Sequence, residues 1–456
     1  MWPPSISWAG CRLAKSASGQ EISLIHWIST YHFSERQDMR LLIVCPFFPW
    51  PPDTGIRIQQ SGLIQLAARQ HSVYLFSLVQ SEEERKHKTR IAPYCERVLA
   101  IQPVYQLPGR LDGRRQWKDA LWSLVRRDPR HFYGPPSPNV VVALRQKVYE
   151  WQPDLIWVNT LYMTNYLWPL WEELRAIPKV LVEHNIETSI QRQQVEVATS
   201  WSRRIRAWGY WLPFGRFEAQ MAEKFNWVVT VSDVDRERLL DLAPRLNPEH
   251  VFVLPNGIDV TAYDGEWGTP QPNTLIFPGA LTYNANYDAM EFFLHHIFPL
   301  VRAENPQVTL RITGRYDGVP VERLSPGNGV ELTGYLDDVR PAIAQSWACV
   351  VPLRVGGGTR LKILEAMALG TPVVATSKGA EGLRVTDGEN ILIADEPADF
   401  TQAVMRLLGD AALRAKLAAN GRRLVAERYS WETIGARLEQ LLDRVAAYGT
   451  QKMDTL

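Results

Sequence analysis

Three consecutive glycines, Gly356 to Gly358, separate a strand-like stretch from a helix-like segment in VVPLRVGGGTRLKILEAMALGTPVVAT. We expect the helix to begin near Thr359 and to end at Leu369, before Gly370. The first amides of a helix lack intrahelical partners, and the macrodipole favours negative charge there. Glycines also let a bulky anion approach the backbone closely. The turn therefore predicts an anion site.

Two cations and an acid follow this turn. Arg360 and Lys362 lie in the first turn of the helix, where a purely structural helix would carry acids. Glu365 follows on the same helix face as Lys362. A polyanion held between the cations and the amides explains this arrangement, whereas the alternative is a flexible loop beside a solvated Lys362–Glu365 ion pair. The extra cations and the apolar flanking strands favour a diphosphate site.

Composition narrows the class of protein. With 456 residues, the chain is long enough for two or three domains. Its net charge of +1 argues against a dedicated nucleic-acid binder, which would show a basic excess. The four cysteines form no CxxC pair, so we expect neither a zinc ribbon nor a disulfide framework, and a reducing cytoplasm is the default compartment. No apolar run reaches the roughly 18 residues that a membrane-spanning helix needs.

Strand-like runs alternate with helix-like segments along most of the chain, which predicts an α/β fold. Residues 1–38 show no periodicity, so we expect Met39 to be the native start and residues 1–38 to be a disordered extension or an upstream mis-start. A first domain is predicted over residues 39–258 and a second over 273–431, joined by a linker that carries proline and glycine. A final helix is predicted over 432–449.

Polar side chains end the strand-like run KVLVEHNIET, residues 179–188. Ligands of open α/β sheets bind outside the carboxyl ends of the strands, so His184 is a candidate site residue. A loop histidine without a function is the alternative. Asp233 and Asp235 have the spacing of a metal-binding DxD motif. We expect no metal site here, because acids are favoured by the helix dipole in the first turn of a helix that Ser232 caps.

Arginines and aromatic residues are interleaved from Trp201 to Phe217. Segments of this composition bind anionic membrane surfaces or stack on ligands. Pro213 and Gly209 are expected to interrupt any long helix here. A partly buried linking helix with solvated arginines is the alternative. The segment is therefore a candidate for peripheral membrane contact.

The stretch around the glycine turn resembles the donor-binding segment of the retaining, GT-B-fold glycosyltransferases of family 4, also called glycosyl transferases group 1. It is most similar to a branch that carries the motif GGGTRLKxLEAMA, and the resemblance spans most of residues 39–431. It implies two doubly wound, Rossmann-like α/β domains that face each other across a cleft, with the C-terminal helix crossing back to the first domain.

The resemblance also implies a function. The enzyme would move a sugar from a nucleotide-diphosphate sugar to a glycan, a lipid-linked saccharide or a small molecule, with retention and without a metal or a further cofactor. It would work in the cytoplasm, with peripheral contact at the inner face of the membrane as an option, in cell-envelope polysaccharide or glycolipid synthesis. Two other functions fit the motif: a GT-B-fold sugar-nucleotide epimerase and a catalytically silent nucleotide-sugar-binding scaffold.

Two positions depart from the family pattern. By resemblance, Glu365 contacts the ribose or the donor, but the glutamate that pairs with it in the family is replaced by Gly357. The arginine and lysine that follow the family's glycine at Gly279 are also missing. Because a diphosphate needs compensating charge, we expect Arg360 and Lys362 to bind it instead.

The remaining donor contacts are placed by resemblance alone. His184 would lie near the donor sugar, and Gly55 would lie in a loop that faces the phosphates. Gly334 and Tyr335 would pack against the base. The other predicted donor contacts are Gly279, Gly356, Gly357, Gly358 and Thr359.

Overall fold

The computed structural model describes residues 38–104, 130–196, 201–324 and 327–453. The predicted disordered extension lies outside these ranges, apart from Asp38, and its disorder stays a prediction. Two parallel sheets of seven and six strands form the centre of the fold. Within the described ranges, no helix is both long enough and apolar enough to cross a membrane.

The first domain is built on seven strands in the order β3–β2–β1–β4–β5–β6–β7. They are β1 (Arg40–Cys45), β2 (Ser72–Leu78), β3 (Arg97–Ile101), β4 (Leu155–Asn159), β5 (Lys179–Glu183), β6 (Trp227–Thr230) and β7 (Val251–Val253). Its helices are α1 (Gly55–Ala67), α2 (Glu82–Lys86), α3 (Lys88–Ile91), α4 (Arg130–Tyr133), α5 (Pro138–Trp151), α6 (Thr164–Leu167), α7 (Glu187–Glu196), α8 (Trp201–Ala222) and α9 (Asp233–Leu242).

Alternate residues of β1 enter two cores, one on each face of the first sheet. Leu42 and Val44 lie in the core that α5 and α8 share, whereas Leu41 and Ile43 lie in the core that α1 shares. Burial on both faces explains why the central strands are continuous apolar runs in the sequence.

The second domain is built on six strands in the order β10–β9–β8–β11–β12–β13, the strand order of a Rossmann fold. They are β8 (Gln271–Pro278), β9 (Thr309–Thr313), β10 (Val330–Gly334), β11 (Ser346–Val351), β12 (Val373–Ala375) and β13 (Leu392–Ile393). Its helices are α10 (Asn284–Phe292), α11 (Phe298–Glu304), α12 (Arg340–Ala344), α13 (Leu361–Leu369), α14 (Ser377–Ala380), α15 (Pro397–Gly409) and α16 (Ala411–Arg428).

The C-terminal helix, α17 (Trp431–Met453), returns to the first domain. Its residues Ile434 and Leu438 are buried in the core beside α1. The ring of Trp431 packs so closely on Gly62 that a Cβ there would lie 2.2 Å from it. The predicted architecture, two doubly wound domains and a helix that crosses back, is confirmed.

The helix α8 corrects one prediction, because it continues through Pro213 where the sequence predicts an interruption. Beyond the proline, Phe214 and Phe217 are buried. Their ring centroids lie 5.2 Å and 4.8 Å from that of Phe132. This tertiary packing offsets the local cost of an internal proline, which removes one helical hydrogen bond.

Three further local details bear on the sequence-based predictions. The edge strand β3, in a charged and half-exposed stretch, has no clear sequence signal. Helix α13 begins at Leu361 rather than near Thr359, because Arg360 has non-helical dihedrals (φ −85°, ψ 74°). The predicted cap is confirmed, since the Ser232 hydroxyl accepts a hydrogen bond from the Asp235 amide at 3.0 Å.

Candidate active site

The loops at the carboxyl ends of the two sheets meet in the interdomain cleft. The strand order reverses between β1 and β4 in the first sheet and between β8 and β11 in the second, and such switch points open a crevice for ligands. Gly279 follows β8, the glycine turn follows β11, and His184 follows β5. A Cβ on Gly357 would lie 2.8 Å from the Asn185 side-chain oxygen, which shows that loops of both domains are in contact.

The glycine turn has a shape that requires glycine at two positions. Gly356 and Gly358 have φ angles of +106° and +76°, in the left-handed region that other residues rarely adopt. The Arg360 guanidinium, only 6% exposed, donates to the carbonyls of Gly357 at 2.6 Å and Gly356 at 3.1 Å. Burial lowers the pKa of Arg360. Arg360 therefore stabilises the turn itself, and its contact with a diphosphate stays a prediction.

Lys362 reaches the loop from which the family's two cations are missing. Its ammonium donates to the Asn286 side-chain oxygen at 2.9 Å and lies 3.9 Å from the centroid of the Phe277 ring. A Cβ on Gly279 would lie 2.7 Å from the same ammonium. Burial lowers the pKa of Lys362 to about 7. A cation thus stands beside Gly279 although it comes from a different element.

Glu365 lies one turn further along α13 and has its own partner. Its carboxylate accepts a hydrogen bond from the Tyr263 hydroxyl at 3.1 Å. Burial raises the pKa of Glu365. Lys362 and Glu365 therefore bind different groups, rather than forming the solvated ion pair of the alternative interpretation.

The residues predicted to hold the base lie at the end of the edge strand β10. Gly334 has a φ angle of +73°. The Tyr335 side chain is 62% exposed, and the Arg315 guanidinium lies 5.2 Å from the centroid of its ring. An exposed ring beside a cation offers a surface on which a base can stack. The role of both residues stays a prediction.

The predicted first-domain residues also border the cleft. His184 is 6% exposed, and burial lowers its pKa to about 4, so its imidazole is neutral at pH 7. Its carbonyl would lie 3.8 Å from a Cβ on Gly358. Gly55 begins α1, and a Cβ there would lie 3.7 Å from the Asn256 side-chain nitrogen and 3.9 Å from Leu361 of the second domain.

Three polar residues of this region were not singled out from the sequence. Glu183 and Asn185 flank His184, and each has a buried side-chain oxygen without a hydrogen-bond partner among the described residues. Asn286 holds Lys362 in place. The polar run Glu183–Asn185 at the end of β5 is the signal for the first two, because ligands of open α/β sheets bind at the carboxyl ends of the strands. Nothing in the sequence pairs Asn286 with Lys362.

Two family models match consecutive parts of the chain. Residues 63–262 match the model Glycosyltransferase Family 4, and residues 272–410 match the model Glycosyl transferases group 1. The two matches fall on the first and second domains, respectively. Together they cover most of the chain.

Similar proteins include two mannosyltransferases. The MMP alpha-(1->4)-mannosyltransferase of Mycolicibacterium hassiacum is 28% identical over 288 residues, which are 60% of this chain and 67% of that protein. The phosphatidyl-myo-inositol mannosyltransferase of Mycobacterium leprae is 28% identical over 239 residues, which are 50% of this chain and 62% of that protein. The chain thus spans about two thirds of the length of these relatives.

Solved structures share the fold at low identity. HepE from Anabaena, in complex with UDP and glucose, matches 89% of this chain and 100% of its own, with a TM-score of 0.63 at 18% identity. Sucrose-phosphate synthase from Thermosynechococcus elongatus matches 90% of this chain and 100% of its own, with the same TM-score and identity. At 18% identity this likeness concerns the fold alone, the two-domain GT-B fold. Given the two family models and this fold, the chain belongs to the GT-B-fold glycosyltransferases of family 4, group 1.

Proposed function

We propose that the protein transfers a hexosyl group from a nucleotide-diphosphate sugar to a hydroxyl of an acceptor, with retention at the anomeric carbon. One observation carries this proposal: a cation and a glycine-rich helix N-terminus of the second domain face polar side chains of the first. Lys362 lies beside Gly279, and Gly357 contacts Asn185. A diphosphate on one wall of the cleft would therefore present its sugar to the other wall.

The proposed chemistry depends on positioning and on charge. The bond between the anomeric carbon and the diphosphate oxygen breaks, and the acceptor oxygen attaches from the same face. Lys362 and the amides of the glycine turn stabilise the departing diphosphate, while a phosphate oxygen takes the proton of the acceptor hydroxyl. His184 is neutral and a weak base, because burial lowers its pKa to about 4. It would therefore hydrogen-bond to the donor sugar rather than act as the general base. Glu365, held by Tyr263, would contact the ribose.

Mannose is the first sugar to test, because both relatives described above are named mannosyltransferases. The protein would be incubated with GDP-mannose or UDP-glucose, with and without a panel of glycosides, myo-inositol and lipid-linked saccharides. We expect an acceptor-dependent product whose anomeric configuration, measured by NMR, equals that of the donor. An inverted product would contradict retention. Isomerised donor without an acceptor would indicate an epimerase, and no nucleotide binding by a folded sample would contradict the enzyme as a whole.

We also propose that α8 touches the inner membrane surface, where a lipid-linked acceptor would be found. Trp201 is 79% exposed and Leu212 is 41% exposed, and exposed aromatic and aliphatic side chains of a surface helix can enter the interfacial region of a bilayer. Co-sedimentation with vesicles that contain anionic lipid should decrease when both residues are replaced by serine. Equal binding by the wild type and the double variant would contradict this contact.

A further inference from the structure

A cavity of ≈ 280 Å³ lies at the carboxyl ends of β1, β4 and β5, on the first-domain side of the cleft. Ligand sites of roughly 300 Å³ are at the small end of the usual range, so the cavity suits a single ring rather than an oligosaccharide. It is lined by the loop after β1, the first turn of α1, the segment after β4 and the segment after β5, with aromatic residues of α4 and α8. The polar run Glu183–Asn185 therefore faces this space.

The charge of the lining decides what can occupy the cavity. Glu183 and Glu187 contribute two carboxyl groups, and no lysine or arginine is present among the lining residues that the structure describes. A buried phosphate or carboxylate needs a cationic partner, and the described lining of this cavity supplies none. The glycine turn, with Lys362, offers the opposite environment. The cleft is thus divided into an anion-binding wall and a wall that disfavours anions.

Unpartnered polar atoms point to a ligand in this cavity. Glu183 is 2% exposed and His184 is 6% exposed. One carboxyl oxygen of Glu183, Nε2 of His184 and the side-chain oxygen of Asn185 are buried without a hydrogen-bond partner within the described part of the chain. Buried polar groups are nearly always hydrogen-bonded in native proteins, so each of these atoms needs a partner. A ligand with several hydroxyl groups can supply partners for Glu183 and Asn185, while His184, which lies between this cavity and the glycine turn, would bond to the donor sugar.

The protonation states fit hydroxyl groups as well. Burial, with the neighbouring carboxylates of Glu218 and Glu187, raises the pKa of Glu183 well above its usual value. Glu218 lies behind the cavity, where its carboxylate accepts hydrogen bonds from the first amides of α7 at Glu187 and Thr188. Like charges in one buried site cannot all ionise, which favours the protonated form of Glu183, and this form can donate to an oxygen. A protonated carboxyl and a neutral imidazole offer both donors and acceptors.

Aromatic rings complete the cavity. Tyr133 and Tyr162 face each other edge to face with centroids 5.1 Å apart, and Phe47 and Phe214 also line the space. Such rings offer flat apolar surfaces on which the carbon face of a sugar or cyclitol can pack, while the polar groups fix its orientation.

We propose that this cavity holds the acceptor as a neutral, polyhydroxylated ring, with Glu183 as a residue that selects such rings over those bearing a phosphate or carboxylate. The inference rests on the proposed glycosyl transfer, in that it names the acceptor class. An acceptor with an anionic group would place that group outside the cavity. Glu183, whose buried carboxyl oxygen has no partner within the described part of the chain, would donate a hydrogen bond to a ring hydroxyl.

The test compares matched pairs of ring compounds. Binding of methyl α-mannoside and of myo-inositol to the full chain would be measured by saturation-transfer NMR, beside mannose 6-phosphate, myo-inositol phosphate and methyl glucuronide. This measurement needs no turnover, so it stands even if glycosyl transfer fails. We expect neutral rings to bind roughly tenfold more tightly than their anionic partners, as unpaired burial of a charge requires. Preference for the anionic member, or no binding of any ring, would overturn the proposal.

Variants of Glu183 separate selection from folding. Glu183→Gln retains the shape and a donor, so we expect the acceptor KM to change by no more than about threefold. Glu183→Leu removes the hydrogen-bond donor and changes the shape of the side chain, so we expect the acceptor KM to rise by roughly tenfold or more. An unchanged affinity for the nucleotide-sugar would show that the cleft of this variant is intact. The exposed Glu150→Gln is the matched control, on α5, away from the cavity. An unchanged acceptor KM in Glu183→Leu would contradict the role of this residue. Failure of the folded wild type to bind any nucleotide-sugar would instead contradict the proposed glycosyl transfer.

Discussion

Replacement of Lys362 by alanine removes the ammonium that lies beside Gly279, and we expect this change to weaken donor binding strongly. In the free protein the ammonium is held by Asn286 at 2.9 Å and by the Phe277 ring at 3.9 Å. A charge-assisted hydrogen bond to a phosphate contributes about 2–3 kcal/mol. Its loss would raise the Kd of a nucleotide-diphosphate sugar roughly 30- to 150-fold.

The pH dependence gives a second signature of the same residue. Burial lowers the pKa of Lys362 to about 7 in the free protein, and a bound diphosphate would raise it again. The protonated form is the one that binds, so affinity is full below about pH 7 and falls about tenfold for each pH unit above it. Binding at about pH 8 would therefore take up close to one proton. Lys362→Arg should remove this dependence, because arginine stays charged.

The assay is calorimetric titration with a nucleotide-diphosphate sugar, whose diphosphate diester does not titrate in this pH range. Titration at about pH 6 and about pH 8, in two buffers of different ionisation enthalpy, gives both the Kd and the number of protons taken up. Lys416→Ala is the matched control, since Lys416 is exposed and pairs with Glu389. Equal Kd values for the wild type and Lys362→Ala, or no proton uptake by the wild type, would contradict the contact between Lys362 and the diphosphate.

Three further predictions follow from the packing. Gly357→Ala should weaken donor binding roughly tenfold, because its Cβ would lie 2.8 Å from the Asn185 oxygen. Adding Asn185→Ala should restore donor binding, and strict additivity of the two changes in a double-mutant cycle would contradict this contact. Gly62→Ala should lower the free energy of unfolding by about 1–3 kcal/mol, because its Cβ would meet Trp431 at 2.2 Å, and an unchanged melting temperature would disprove this. Burial raises the pKa of Glu218 from its ordinary 4.5 to about 7. The contribution of Glu218 to the free energy of unfolding is therefore greatest below pH 4.5 and falls as the pH rises towards about 7. Chemical denaturation between these pH values should show a free energy of unfolding that decreases with pH in the wild type, and this decrease should be absent in Glu218→Gln.

The sequence patterns predict the fold well for a physical reason. Strands such as β1, buried on both faces, are continuous apolar runs, and the glycines after β11 mark the turn into α13. These are local signals, because strand burial and turn geometry are both expressed within a few residues. The edge strand β3 is half-exposed, so it lacks the apolar run and could not be predicted in the same way.

The site could be predicted only in part, because its decisive contacts join residues far apart in the chain. No sequence pattern near Gly357 predicts its contact with Asn185, and none near Lys362 predicts its hydrogen bond with Asn286. The direction in which a side chain points could not be predicted from the sequence either. Arg360 is a cation at a helix N-terminus in the sequence, but in the structure its guanidinium turns to the carbonyls of the glycine turn.

We propose that the donor diphosphate lies between Lys362 and the glycine turn. The most direct measurement is a crystal structure with a bound nucleotide-diphosphate sugar. We expect a phosphate oxygen within about 3 Å of the Lys362 ammonium and another within about 3 Å of a backbone amide at Gly358 or beyond, with the sugar directed at His184. A diphosphate bound away from Lys362 and from the turn amides would contradict it.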